Sequence, residues 1–405
     1  MGRRCVAPEY DPLKISNKVI GMKKNLAAYG IGLALAAVSG SALALDEIRI
    51  NGFLTAAATQ TDADSAYNAD LATPDLQFNG RDNRLGIQLS ADVNERVEVT
   101  AQLLARAVPD NYNVEADWAY ASYAVHDQLK IRAGKVKLPT FLTSDYIEVG
   151  YAYPWVRPPQ EVYSLNPITS MSGIDLLYTP VFGDITLLIQ PYYGNSTGSG
   201  FVTGMQAYAF GAPDLAGDPV DFDAKDLAGI NLAVQTDVYT VRAGYLTTKV
   251  SSDFATPSGP IDEDKAQFMS VGFTMDWNDV VAYAEWASRD EDGNAEIGFP
   301  DQEAWYATIG YRMGPWLPTL TYAQLKAGDP DNASVDAYAL EQTSTSFGLR
   351  YELGLGADIK FEALYVNPEK GNFGLYDGPL HGSDPFSTDA SSDAMVYTLT
   401  LDVIF

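Results

Sequence analysis

Residues 395–405, the last of the chain, read "MVYTLTLDVIF". Met395, Tyr397, Leu399, Leu401, Val403 and Phe405 fall on one face of an extended strand. Thr398, Thr400 and Asp402 fall on the other, with Ile404 the single apolar residue among them. Strict alternation marks a strand with one apolar and one polar face, because successive side chains leave opposite sides of the pleat. A sandwich strand in water shows it too. The stripe therefore decides the fold only if the rest of the chain repeats it and reveals on which side water lies.

The chain does repeat it. Segments of about ten residues, alternating or apolar, centre on 48–58, 84–93, 97–107, 117–125, 129–136, 173–179, 184–194 and 228–236. They continue at 238–248, 267–277, 280–288, 304–313, 319–327, 345–353, 358–366 and 395–405. That is about sixteen strands, each near the length that crosses a bilayer when tilted. Short turns at 94–96, 126–128, Thr236-Asp237, Asn278-Asp279 and 354–357 alternate with longer connections. The longer ones are 59–83, 137–172, 195–227, 249–266, 289–303, 328–344 and 367–393, with 108–116 shorter. Tight turn and long loop in strict succession predict an all-β fold: a transmembrane up-and-down antiparallel β-barrel with short periplasmic turns and long extracellular loops. An even strand number puts both ends on one rim, so 395–405 closes against the first strand and no edge is left. In this reading the opening stripe faces lipid.

Composition agrees. Past the leader no apolar run reaches the roughly 18 residues of a membrane helix. Tyrosine (25) outnumbers phenylalanine (16) and tryptophan (6), as suits rings placed at water boundaries. Residues 22–44, "MKKNLAAYGIGLALAAVSGSALA", show a basic start, an apolar core and a small-residue end, the layout of a secretory signal peptide. Residues 1–21 precede that unit and read as a mis-called upstream start, leaving 45–405 as the mature barrel. The only cysteine, Cys5, lies in the discarded part, so no disulfide framework or thiolate metal site is expected. Net charge is −27, and losing the leader makes it more negative. Nucleic acid is excluded as a partner, because phosphate binding needs a basic surface.

With the leader, the strand count, the loop alternation and a last strand ending in Phe405, the mature chain resembles a Gram-negative outer-membrane general diffusion porin. The resemblance implies a water-filled channel in the cell outer membrane, carrying small hydrophilic solutes and ions passively. It implies a homotrimer, with "NGFLTAAAT" (51–59) and the C-terminal strand in the wall between subunits. It also implies that Tyr397, Leu401, Val403 and Phe405 form the signal read by the barrel assembly machinery. Porins of this kind fold the loop after the fifth strand into the barrel. Here that segment, 137–172, is the longest connection and unusually rich in proline and aromatics, with Asp145, Glu148, Arg157 and Glu161 as candidate constriction residues. The acidic tip sequence of enterobacterial porins is absent. The alternative is a loop that latches a neighbouring subunit or covers the mouth.

If the apolar set faces lipid, the intervening residues face the lumen. Arg84, Lys130, Arg132, Arg242, Arg312, Arg350 and Lys360 then line the wall with Glu98, Asp175, Glu285, Glu352, Glu362 and Asp402. One reading sets Arg84, Arg132 and Arg350 as a basic wall opposite Asp145, Glu148 and Glu161. The other has these charges simply solvated, or paired along one wall, as Arg350 and Glu352 are close enough to be. Acidic outer loops favour cations, or divalent ions bridging to lipopolysaccharide, whereas a basic inner wall favours anions such as phosphate or carboxylates. Trp118 and Tyr120 are inward candidates for a sugar track. A pore-poor scaffold or adhesin is the remaining alternative. No enzyme is expected: His126 falls in a predicted periplasmic turn and His381 in an outer loop, so no Ser-His-acid set can assemble. Neither a cofactor nor a metal site is expected.

Overall fold

The computed structural model describes residues 46–108, 111–328, 338–354, 356–381 and 393–405. The expected upstream start (1–21) and leader (22–44) lie outside them. The strands are β1 (Asp46–Thr61), β2 (Arg84–Asn94), β3 (Val97–Val108), β4 (Asn111–His126) and β5 (Leu129–Lys137). The sixth, β6, comes in two pieces, Ser170–Tyr178 and Val181–Phe182, which pair with the same neighbour and flank Pro180. Then come β7 (Ile185–Phe201), β8 (Pro219–Gln235), β9 (Tyr239–Thr256), β10 (Gly259–Trp277) and β11 (Val280–Glu291). The last are β12 (Gln302–Tyr311), β13 (Trp316–Ala327), β14 (Gln342–Glu352), β15 (Ala357–Pro368) and β16 (Ala394–Ile404).

Each strand pairs antiparallel with the next, and β16 returns to β1 with Phe53 opposite Ile404 and Thr61 opposite Val396. The result is a closed sixteen-strand barrel. Closure satisfies every ladder without an exposed edge, which a lipid environment demands. Tyr397, Leu399 and Leu401 are exposed on the outside, whereas Thr398, Thr400 and Asp402 are buried inside. The alternation read from 395–405 is therefore the actual division between the two faces.

Three connections differ from the expected loops: in 108–116, β3 runs to Val108 and β4 already begins at Asn111. Much of 195–227 and nearly all of 249–266 are strand: β7 and β8 pair out to Phe201 and Pro219, and β9 and β10 meet at a turn between Thr256 and Gly259. Polar residues such as those of "DPVDFDAKD" (218–226) carry these extensions, so no apolar stripe marks them as strand in the sequence.

One local irregularity matters for the interior. In β4 the register against β3 slips between Gln102 and Leu103, leaving Asp117 as a bulge. Opposite it, β5 turns at Gly134 with φ 133°, where a Cβ would strike the backbone of Ala119 and Tyr120. A bulge re-aims side chains. Arg132 and Lys137, five positions apart, consequently both face inward.

Candidate functional site

Residues 138–169 leave β5, cross the interior and enter β6. Their apolar side chains explain why the segment packs and does not extend into water: Phe141, Tyr153, Trp155, Val162, Tyr163, Leu165 and Ile168 are all buried. They form one cluster with inward residues of the wall, among them Phe268, Ala304, Tyr306 and Leu325. Phe141 stacks on Tyr163 at 4.5 Å between ring centres, and Trp155 meets Tyr283 at 4.7 Å and Tyr306 at 5.6 Å. Aromatic pairs in these geometries add to the gain from burial alone.

Polar groups pin the segment to the wall at successive points. The amide of Leu142 donates to Glu285 Oε1 at 2.7 Å, and Tyr306 Oη donates to Glu285 Oε2 at 3.3 Å. The Trp155 indole donates to Thr308 at 2.9 Å. Arg157 binds Asp82 and Thr398, each at 2.7 Å, and Gln342 donates to Glu161 at 2.7 Å. Lys360 donates to the carbonyl of Gly150, and Tyr151 to Glu352 at 2.7 Å. Arg84 lies 3.5 Å and Arg106 2.5 Å from Glu148. Burial would raise the Glu148 carboxyl, but Arg106, Lys137, Arg84 and Arg81 outweigh it and hold the group at about 2.

Several expected wall charges have other partners. Arg132 makes a two-pronged pair with Asp175 on the adjacent strand, and Arg350 binds Glu352 at 2.9 Å and Asp358 at 3.0 Å. The picture of Arg132 and Arg350 reserved for the loop's carboxylates is thereby corrected. Removing either partner of such a desolvated pair would strand the other charge, so these two arginines are held by carboxylates of the wall itself. Of the three arginines only Arg84 pairs with a loop carboxylate, although the exposed Asp145 lies within electrostatic range of Arg132. Arg242 donates to Asn231 at 2.7 Å and to the Leu142 carbonyl. Arg312 sits just past β12 and pairs with Asp276 at 2.6 Å, and Glu98 pairs with Arg49 at 3.3 Å. Lys130 is exposed and makes no ion pair among the described residues.

Sequence reasoning overlooked Arg106, although it shares the face of Glu98, Thr100 and Gln102 by simple alternation. It had no means of finding the buried pair of Lys137 and Asp117 (2.8 Å), because the bulge hides the parity. Trp118 and Tyr120 lie side by side at 6.0 Å, with Arg132 over the Tyr120 ring at 5.3 Å. Above the crossing segment opens a cavity of about 540 Å³, lined by the 196–203 stretch and by Arg81, Arg106, Lys135, Arg289 and Glu115. Among the described residues, no group of histidines and carboxylates is arranged to hold a metal ion.

A family model described as Gram-negative porin matches residues 32–371. No curated protein matches the chain. Among solved structures it is similar to the outer-membrane channel DcaP of Acinetobacter baumannii, with TM-score 0.56 and 14% identity over 89% of this chain and 97% of that one. OmpF of Salmonella typhi, solved with daunomycin, gives TM-score 0.55 and 14% identity over 88% and 97%. OmpT of Vibrio cholerae in its trimer form gives 0.51 and 12% over 89% and 99%.

Proposed function

Because this chain belongs to the Gram-negative porin family and is an outer-membrane channel, we propose that residues 138–169 set its bore and that small hydrophilic solutes and ions cross it by passive diffusion. The observation that carries this reading is the set of anchors from Leu142, Trp155, Arg157 and Glu161 to inward side chains of β11, β12, β14 and β16. A sixteen-strand barrel is wide enough to hold water unless something inside narrows it. Asp145, exposed on the segment, is a charge a passing solute meets, whereas Glu148 is buried against Arg84 and Arg106. No step of this function breaks a covalent bond.

In the same reading the barrel is a homotrimer, as the Vibrio relative is in its trimer form. The outward side chains of β1 and β16, including Leu54, Leu399 and Leu401, belong to the shared wall or to lipid. Tyr397, Leu401, Val403 and Phe405 serve as the signal for the barrel assembly machinery, and residues 22–44 as the leader removed on export. A native gel in mild detergent checks the trimer. Reconstitution into a planar bilayer under a salt gradient checks the pore, yielding bore and ion preference together; a barrel that passes no current overturns the reading.

A further inference from the structure

The vestibule above the crossing segment is chemically unlike the protein that surrounds it. The chain carries 53 acidic residues against 26 basic ones. Yet the cavity of about 540 Å³ is lined by four cations, Arg81, Arg106, Lys135 and Arg289, and by one carboxylate, Glu115. Three of those cations have no ion pair among the described residues. Arg81 donates to the carbonyls of Asn68 and Ala69, each at 3.2 Å, and lies 4.5 Å over the Phe201 ring. Arg289 donates to the carbonyls of Leu165 (3.1 Å) and Pro300 (2.6 Å) and to the Gln302 amide oxygen (2.9 Å). Carbonyl partners hold a guanidinium in place without cancelling its charge. Lys135, turned inward by the bend at Gly134, has no hydrogen-bond or ion-pair partner among the described residues.

A second observation is independent of charge. Asn166 lines the same cavity, is 7% exposed, and its Nδ2 donor has no partner. Its amide orientation is settled by Oδ1, which accepts the Ile168 amide at 2.9 Å. A buried donor without an acceptor is costly and rare unless a ligand or water supplies one. Hydroxyls of Ser144, Ser164 and Thr169 add further donors to the lining.

Carboxylates stand near Arg81 and Arg289 without an ion pair to either: Glu291 and Asp301 lie within electrostatic range of Arg289. Asp70, Asp82 and Asp377 lie within electrostatic range of Arg81. Asp82 is bound by Arg157, and burial pushes the Asp377 carboxyl up to about 7, so that it carries little charge in mildly acid water. Glu148 is shared by Arg84 and Arg106.

We infer that the outer vestibule is an anion site that takes small oxyanionic solutes, carboxylate or phosphate, before they reach the crossing segment. Uncancelled cations attract the solute, and the donors replace the water on its oxygens. As a selectivity statement this rests on the pore reading; as a binding statement it does not.

The test uses the full barrel in detergent, titrated calorimetrically with inorganic phosphate, with succinate, and with sucrose as a neutral control. The same protein in a planar bilayer gives the reversal potential. Heat with phosphate, with succinate or with both, and none with sucrose, is the expected result, the pattern showing which oxyanion fits. Lys135→Gln removes a charge that supports no fold contact, and it should weaken the anion about tenfold, the equivalent of about 1.4 kcal/mol. Adding Arg81→Gln should weaken it further and move the reversal potential toward cations. No heat from either anion, or equal affinity in Lys135→Gln, overturns the inference while leaving an open pore untouched. Anion binding by a barrel that carries no current supports the site and sinks the pore instead.

Discussion

Lys360 and Asp402 stand 3.1 Å apart on β15 and β16, both buried, and the same ammonium donates to the carbonyl of Gly150 on the crossing segment. One lysine thus joins the closing strand to the segment that fills the barrel. Removing one partner of a buried pair costs about 3–5 kcal/mol, because the other charge is left stranded. Lys360→Met should therefore lower the temperature at which the folded barrel loses its compact electrophoretic mobility. Adding Asp402→Asn should recover part of that loss. Equal melting of the single and double variants would count against the pairing.

Glu285 holds the start of the segment through the Leu142 amide and Tyr306. Glu285→Leu leaves that amide without its acceptor, a loss of about 1–3 kcal/mol. The expected outcome is a larger, noisier single-channel current with the barrel still folded. An unchanged current would mean that 138–169 does not limit conduction.

The Glu148 carboxyl is held at about 2 by Arg106, Lys137, Arg84 and Arg81 against the opposing effect of burial. A depressed carboxylate contributes stability that is complete above its unfolded value, about 4.3, and is lost as pH falls through its folded one. The contribution of Glu148 to conductance should hold steady from pH 7 to about pH 4.5 and fall away as pH approaches 2. In Glu148→Gln that acid step should vanish, which bilayer recordings over a pH series read directly.

Phe405 and Gly52 exchange both backbone hydrogen bonds, at 2.7 and 2.9 Å, and the Phe405 ring occupies the space a side chain at 52 would need. Gly52→Val should displace the ring and slow closure, seen as delayed appearance of the folded band on refolding into detergent. Phe405→Ala should refold in detergent but reach the outer membrane at reduced level, if the terminal aromatic is read by the assembly machinery. Normal membrane levels would remove that role from Phe405.

Strand positions were legible because the lipid boundary imposes alternation wherever a strand crosses it; Thr398, Thr400 and Asp402 inside and Leu399 and Leu401 outside follow from period two alone. Legibility stopped where the boundary stopped. The outer parts of β7 to β10 are polar and read as loop. Inside the barrel, alternation says which way Arg132 points but not that Asp175 waits beside it, since pairing depends on inter-strand register. Lys135 and Lys137 were out of reach altogether, because one bulge at Asp117 and one bend at Gly134 reverse the parity on which the reading relied.

The seam between Gly52 and Phe405 also bears on connectivity. Phe405 is hydrogen-bonded to Gly52, six positions past Asp46 at the start of β1, so a linker of about ten residues would span the roughly 20 Å between Phe405 and Asp46. A circularly permuted gene opened at the Asn278-Asp279 turn keeps every neighbour relation in the cylinder, so chain order is dispensable to its architecture in a way that strand adjacency is not.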